Sequence, residues 1–194
     1  MTMLFSILFI AMAFLLYLYF DQKKLLESYR MNALDTFSSH EDMKETIRIG
    51  LFNRFKRDLE QDKEEDPLLF EYFVADIMKS VRGGTTLVTR SSGDFGIDIL
   101  EHTDEGLYLG QVKCYNDFNP VGFDPIAIIH SQMIKQDAVG GYVVTTGKFT
   151  HNAYTYAEGL GIELINGNQL VELWLKHLET KSESITGLSP VSQI

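Results

Sequence analysis

The chain has 194 residues, 45% of them hydrophobic and 23% charged, which suits one core of ordinary domain size and is too short for two full catalytic domains. This composition excludes a disordered or collagen-like chain. The formal net charge of −10 argues against a protein that coats nucleic acid through bulk positive charge, and a single Cys with five scattered His offers no internal disulfide and no recognisable zinc site.

Met3 to Phe20 (MLFSILFIAMAFLLYLYF) carries no charge, and only Ser6 is plainly polar. As a helix these eighteen residues reach about 27 Å at ~1.5 Å each, close to the ~30 Å hydrocarbon core of a bilayer. The segment is expected to be an uncleaved transmembrane anchor over residues 1–20. No Lys or Arg precedes it and no small-residue cleavage site follows it, against a signal peptide, and an apolar surface all round at the terminus argues against a core helix. Lys23, Lys24 and Arg30 follow the span, so the positive-inside tendency places the rest of the chain in the cytoplasm as a single-pass protein of the inner membrane, with Tyr17 and Tyr19 at the interface.

Residues 21–66 hold nine Lys/Arg and twelve Asp/Glu and read as a charged helical stalk or linker. Ser39 with Asp42 resembles a helix start. Met43, Ile47, Leu51, Phe55 and Leu59 recur every four residues and give a broad apolar face that needs a cover, either the chain's own domain or a second copy. Lys63 to Asp66 reads as a solvated helix end, and Asp66-Pro67 as an N-cap followed by Pro at the first helical position.

The soluble domain is expected over 67–178. Leu69, Phe70, Phe73, Val74, Ile77, Met78 and Val81 form a helical stripe that stops at Gly83-Gly84. Thr85–Thr89, Gly96–Leu100 and Leu107–Tyr115 read as strands, Asp124–Asp137 as a helix, and Tyr142–Thr146 as a buried strand. Thr150–Leu160 reads as a helix, Ile162–Ile165 as a strand and Asn168–Leu178 as a closing helix, with a flexible tail over 179–194. This order predicts an α/β fold, a mixed central sheet flanked by helices.

If Asp104-Glu105 is a two-residue hairpin loop, Thr103 pairs with Gly106 and counting back sets Asp98 opposite Gln111. Lys113 then projects from the same face as Gln111. A carboxylate beside an amide oxygen suits Mg²⁺, which takes few protein ligands, and a neighbouring ammonium can stabilise charge on an attacked phosphate. The same three residues could equally be ordinary solvent-facing strand residues. Thr145, Thr146, Lys148 and Thr150 lie at a strand end leading into a helix, where hydroxyls and backbone N–H groups can hold a phosphate, with simple capping by Thr150 the plainer alternative. His130, Ser131 and Gln132 read as structural, and Cys114 as a packing residue.

Phe70-Glu71-Tyr72-Phe73-Val74, Ser92 to Ile99 (SGDFGIDI), Gln111-Val112-Lys113-Cys114-Tyr115 and Val143 to Thr150 (VVTTGKFT) together resemble the Mrr-like restriction endonuclease family of the PD-(D/E)xK nuclease superfamily. The resemblance covers about Asp66 to Leu178 and implies a restriction-endonuclease-like fold and cleavage of DNA with Mg²⁺, for which Mn²⁺ can substitute. By matching position, the metal-binding Asp falls on Asp98, the (D/E/Q)xK element on Gln111 and Lys113, and the helical acidic residue on Glu71. Catalysis is thus expected from Asp98, Gln111, Lys113 and Glu71, and metal binding from Asp98, Gln111 and Glu71. Gln111 removes one negative charge from the cation's ligands, so metal affinity should be lower than with a carboxylate. Phe95 stands where the family commonly has Gly, and Asp94 lies close enough to contribute, with an exposed turn role as the alternative.

Within Pro67–Lys176 there are seven Lys/Arg and thirteen Asp/Glu, a net of −6, so DNA must meet a local patch. The candidates are Lys148, Thr146, Thr150, Arg90, Lys79 and Arg82. The expectation is a membrane-anchored, metal-dependent DNA endonuclease that restricts foreign or modified DNA, with a homodimer as a possible assembly. The alternatives are a membrane-tethered DNA-binding or sensing module without turnover, and a purely structural membrane protein.

Overall fold

The computed structural model describes residues 2–56, 68–89 and 95–186; side chains at 2–11, 13, 32–35, 37–38 and 183–186 lie outside that description. Contacts divide the chain into two compact units, Met1–Met43 and Lys44–Ile194. Residues 2–43 of the first lie within helix α1 (Thr2–Phe55), which covers the expected anchor and the expected stalk as far as Phe55. Ser39 therefore starts no helix. With helical residues on both sides, its backbone N–H and carbonyl groups belong to an interior turn and leave no free N–H groups for a side chain to cap. Among the described residues no helix is long and apolar enough to cross a membrane. The expected helix end at Lys63–Asp66 and the cap at Asp66-Pro67 lie outside the described residues.

The second unit begins earlier than Pro67. Leu51 of α1 is 4% exposed, and Ile47 and Phe55 pack beside it on the same core, so the four-residue stripe finds its cover on the chain's own domain. Phe55 packs its ring at a tilt against Phe70 and Phe73 of α2 (Leu69–Arg82), at centroid distances of 5.2 and 5.0 Å. Met43, one step earlier in the stripe, is 48% exposed.

After α2 come β1 (Thr85–Val88), β2 (Ile99–Thr103), β3 (Gly106–Lys113), α3 (Asp124–Gln136), β4 (Gly140–Thr145), α4 (His151–Ala157), β5 (Ile162–Ile165) and α5 (Gly167–Thr186). The five strands form one sheet in the order β1-β2-β3-β4-β5. The first two pairings are antiparallel and the last two parallel, giving the expected mixed sheet. Helix α5 continues to Thr186, beyond the expected close at Leu178 and into the stretch read as a tail.

Alternation along the strands makes two cores. Ile99, Val112, Tyr142, Val144 and Ile165 face α1, α2 and α5, while Leu109, Val143 and Leu164 face Ile126, Ile129 and Met133 of α3. Strand β4 is buried on both faces, which is why it reads as a near-continuous apolar run, while β5 at the sheet edge is buried except at Glu163.

Candidate active site

The hairpin forms the register that a two-residue loop requires: Thr103 pairs with Gly106, and Ile99 with Gly110. One step further the count changes. The Asp98 N–H bonds the Gly110 carbonyl at 2.8 Å, so two residues of the first strand share one residue of its neighbour. This is the arrangement of a β-bulge, which re-aims a side chain where strands part. Asp98 is therefore not simply opposite Gln111. Its Oδ2 accepts the Val112 N–H at 2.7 Å, taking over a ladder position that β2 has left.

Gln111 and Lys113 share the face of Leu109, toward α3. Gln111 is 4% exposed, and its Oε1 is a buried acceptor with no hydrogen-bond partner among the described residues. An unpaired amide oxygen so placed costs ~1–3 kcal/mol, which a bound water or cation would relieve. Gly96, with φ +82°, makes room for it, because a Cβ there would stand 3.3 Å from Gln111 Nε2 and 2.7 Å from Ile128 Cγ2. Phe95, just before it, holds φ +53°, the left-handed conformation in which glycine is at ease. Its ring is 67% exposed and lies under the Lys135 ammonium at 4.4 Å.

Lys113 ends β3, beside Thr145 of β4. Glu71 is half-buried in the first turn of α2, the helix packed on the opposite face of the sheet. The other end of α2 fixes its direction. Arg82 stacks over Tyr108 and Tyr142, near the starts of β3 and β4, so the first turn lies toward the strand ends that carry Lys113 and Thr145.

The donor set suits Mg²⁺ in part. Asp98 supplies a carboxylate and Gln111 a buried, partnerless oxygen, both hard donors from adjoining strands. Among the described residues no three His, Cys, Asp or Glu side chains cluster to hold a metal. A Gln in place of an acid is one physical reason.

The expected DNA contacts separate. Lys148 is exposed and ion-pairs with Asp117 Oδ2 at 3.0 Å. Thr146 is fully buried, its hydroxyl donating to the Tyr115 carbonyl at 2.7 Å, so it cannot meet a phosphate. Thr150 caps α4, its Oγ1 accepting the Ala153 N–H at 3.1 Å, which satisfies the plainer alternative. Arg82 is engaged at the far end of the sheet: it pairs with Glu163 and stands 3.5 Å from the fully buried Glu101, too long for a good hydrogen bond but close enough for charge pairing. Lys79 is exposed in the last turn of the same helix, also at that far end. Arg90 and Asp94 lie outside the described residues. Burial raises the Glu101 pKa, with Arg82 opposing, and raises that of its neighbour Tyr142. Burial likewise raises the Cys114 pKa and keeps its thiol protonated, in line with a packing role.

No motif or spacing singled out Arg48. Only 6% exposed, it donates to both carboxylate oxygens of Asp117 (3.0 and 2.9 Å), to both of Glu45 (2.9 and 2.6 Å) and to the Thr146 carbonyl (3.1 Å). The hydrogen bonds it donates to the Glu45 carboxylate, more than any other influence, raise its pKa. No local pattern could have linked Arg48 to a partner 69 residues away.

Residues 63–174 match the restriction endonuclease family of Mrr catalytic domains (Mrr_cat), and the chain belongs to that family. The fold is similar to that of the DNA modification-dependent restriction endonuclease AspBHI, at 18% identity and TM-score 0.54 over 75% of this chain and 40% of that one. It is also similar to the MspJI restriction endonuclease in complex with a 27-mer oligonucleotide, at 20% identity and TM-score 0.51 over 74% of this chain and 35% of that one. The chain thus spans well under half the length of either protein. Among curated proteins there is no significant match.

Proposed function

We propose that this protein is a membrane-anchored, metal-dependent DNA endonuclease that hydrolyses phosphodiester bonds in restricting foreign or modified DNA. The observation that carries the metal-dependent reading is the Gln111 oxygen, buried and without a hydrogen-bond partner among the described residues, next along the strand to the Val112 N–H that the Asp98 carboxylate accepts, at the positions that match the family's metal ligands. Asp98 and Gln111 would hold Mg²⁺ or Mn²⁺, with Glu71 supporting the ligand or water network from α2. The cation would supply charge neutralisation and an activated water. Lys113, projecting beside Gln111, orients the attacking water and offsets negative charge growing on the phosphate oxygens. The products are a 5′-phosphate and a 3′-hydroxyl. Preference for modified DNA is supported by the fold shared with AspBHI, whose description names modification dependence. Cutting both strands by a domain with one such site calls for two copies, so a homodimer is part of the proposal.

Anchoring to the inner membrane, with the nuclease in the cytoplasm, is supported by the charge-free run from Met3 to Phe20 and the Lys and Arg that follow. Phe14 through Phe20 are apolar or aromatic and all exposed around α1, a surface that water disfavours. Incubating the full chain with plasmid DNA tests the activity. Nicking that requires Mg²⁺ and stops with a chelator is expected. DNA that stays intact with either metal but is retained at low salt would replace the enzyme with a binding module.

A further inference from the structure

Lys148 is an exposed cation at the catalytic end of the sheet, in a chain with net charge −10, and it is not alone there: Asp117 Oδ2 stands 3.0 Å from its Nζ. An unshared carboxylate would neutralise the charge that a DNA phosphate needs. Asp117 is shared, however. Arg48 reaches it from the protein side through a two-bond fork at 3.0 and 2.9 Å, while Lys148 makes one contact from a side chain that is 66% exposed. A buried guanidinium fork holds a carboxylate more firmly than a solvated ammonium does. Arg48 is itself fixed by Glu45 and by the Thr146 carbonyl two residues before Lys148. Gly167 leaves space for its stem: a Cβ there would come within 2.6 Å of Arg48 Cδ. Three segments far apart in sequence therefore meet in one charge cluster, and one of them, the end of α1, lies outside the family's matched residues 63–174.

We propose that Arg48 is a positioning residue for DNA binding: by holding Asp117 from the protein side, it leaves Lys148 able to exchange that carboxylate for a backbone phosphate. The inference rests on the DNA-cleaving reading. Arg48 itself touches no DNA, and its effect passes through Asp117 to Lys148.

The test measures binding of the full chain to a short fluorescent DNA duplex at fixed low salt. Asp117→Asn keeps an acceptor for Arg48 and lifts the charge from Lys148, so affinity should rise about fivefold, more than with the charge-matched Glu158→Gln at the end of α4. Arg48→Ala hands Asp117 wholly to Lys148 and should weaken binding by about fivefold or more. Adding Asp117→Ala to that variant should restore binding at least to the wild-type level, whereas for a purely structural Arg48 a second lesion in the same cluster would not. Circular dichroism checks folding, and if Arg48→Ala fails that check, Arg48→Lys, which keeps the charge without the fork, takes its place with an intermediate loss. Wild-type binding with Asp117→Asn no tighter than Glu158→Gln, or with no recovery in the double variant, overturns the inference and leaves the nuclease reading standing. No wild-type binding at any salt overturns both.

Discussion

Phe95 and Gln111 each occupy an unfavourable state that a simpler residue would avoid. Phe95 sits at φ +53°, which costs a non-glycine residue about 1–2 kcal/mol. Phe95→Val, worse still in that region because of its β-branch, should lower stability by ~1–2 kcal/mol, while Phe95→Gly should be at least as stable as wild type. Urea denaturation measures both, and equal stability of the two variants would contradict the strain. Gln111 carries its cost as an unpaired buried oxygen. Gln111→Glu should lower the Mg²⁺ concentration needed for half-maximal cleavage by about tenfold, because a carboxylate adds charge to the ligand set. An unchanged metal requirement would place the cation elsewhere. The sequence pointed to both positions, one by its match to the family's metal ligands and the other by its departure from the family's Gly. It could not show that Asp98 leaves the straight register, because a bulge depends on where two strands part and not on the residues of one.

At the level of elements, most boundaries were legible from apolar period and turn residues, since β1 to β5 and α2 to α4 lie within a few residues of their expected places, whereas α5 runs well past its expected close at Leu178. The end of α1 was legible only in part, its cover left open between the chain's own domain and a second copy. Its four-residue stripe announced a buried face, yet the partners Phe70 and Phe73 lie across residues whose spacing says nothing about contact. Leu51 and Phe55 each contribute roughly 2–3 kcal/mol by burial. A chain begun at residue 63, the start of the family match, should therefore be roughly 4–6 kcal/mol less stable than one begun at Lys44. Thermal unfolding of the two fragments decides this, and equal melting temperatures would refute it. Glu101 gives a pH signature at the far end of the sheet. Its pKa is raised on folding, so its contribution to stability is full below the ordinary glutamate range and is lost as pH rises through the higher folded value. Glu101→Gln should flatten that part of the profile of melting temperature against pH, and a profile identical to wild type would contradict the burial argument.

For the whole molecule, acidity is the governing constraint on function. With −10 overall, DNA contact has to be made through few cations, so affinity should be low and salt-dependent, with a shallow slope reflecting few phosphates neutralised. The family, the mixed sheet and the shared face of Gln111 and Lys113 were all legible in the sequence, because they follow from local motifs and from side chains that alternate along a strand. The loss of Thr146 and Arg82 as DNA contacts was not, because each is taken up by partners distant in the chain. The central claim is that Lys113 acts on a phosphate beside a cation held by Asp98 and Gln111. Its most direct measurement compares Mg²⁺-dependent DNA cleavage by wild type and Lys113→Ala at matched DNA occupancy. The account predicts cleavage reduced at least about a hundredfold with folding and metal requirement intact; cleavage at the wild-type rate would contradict it.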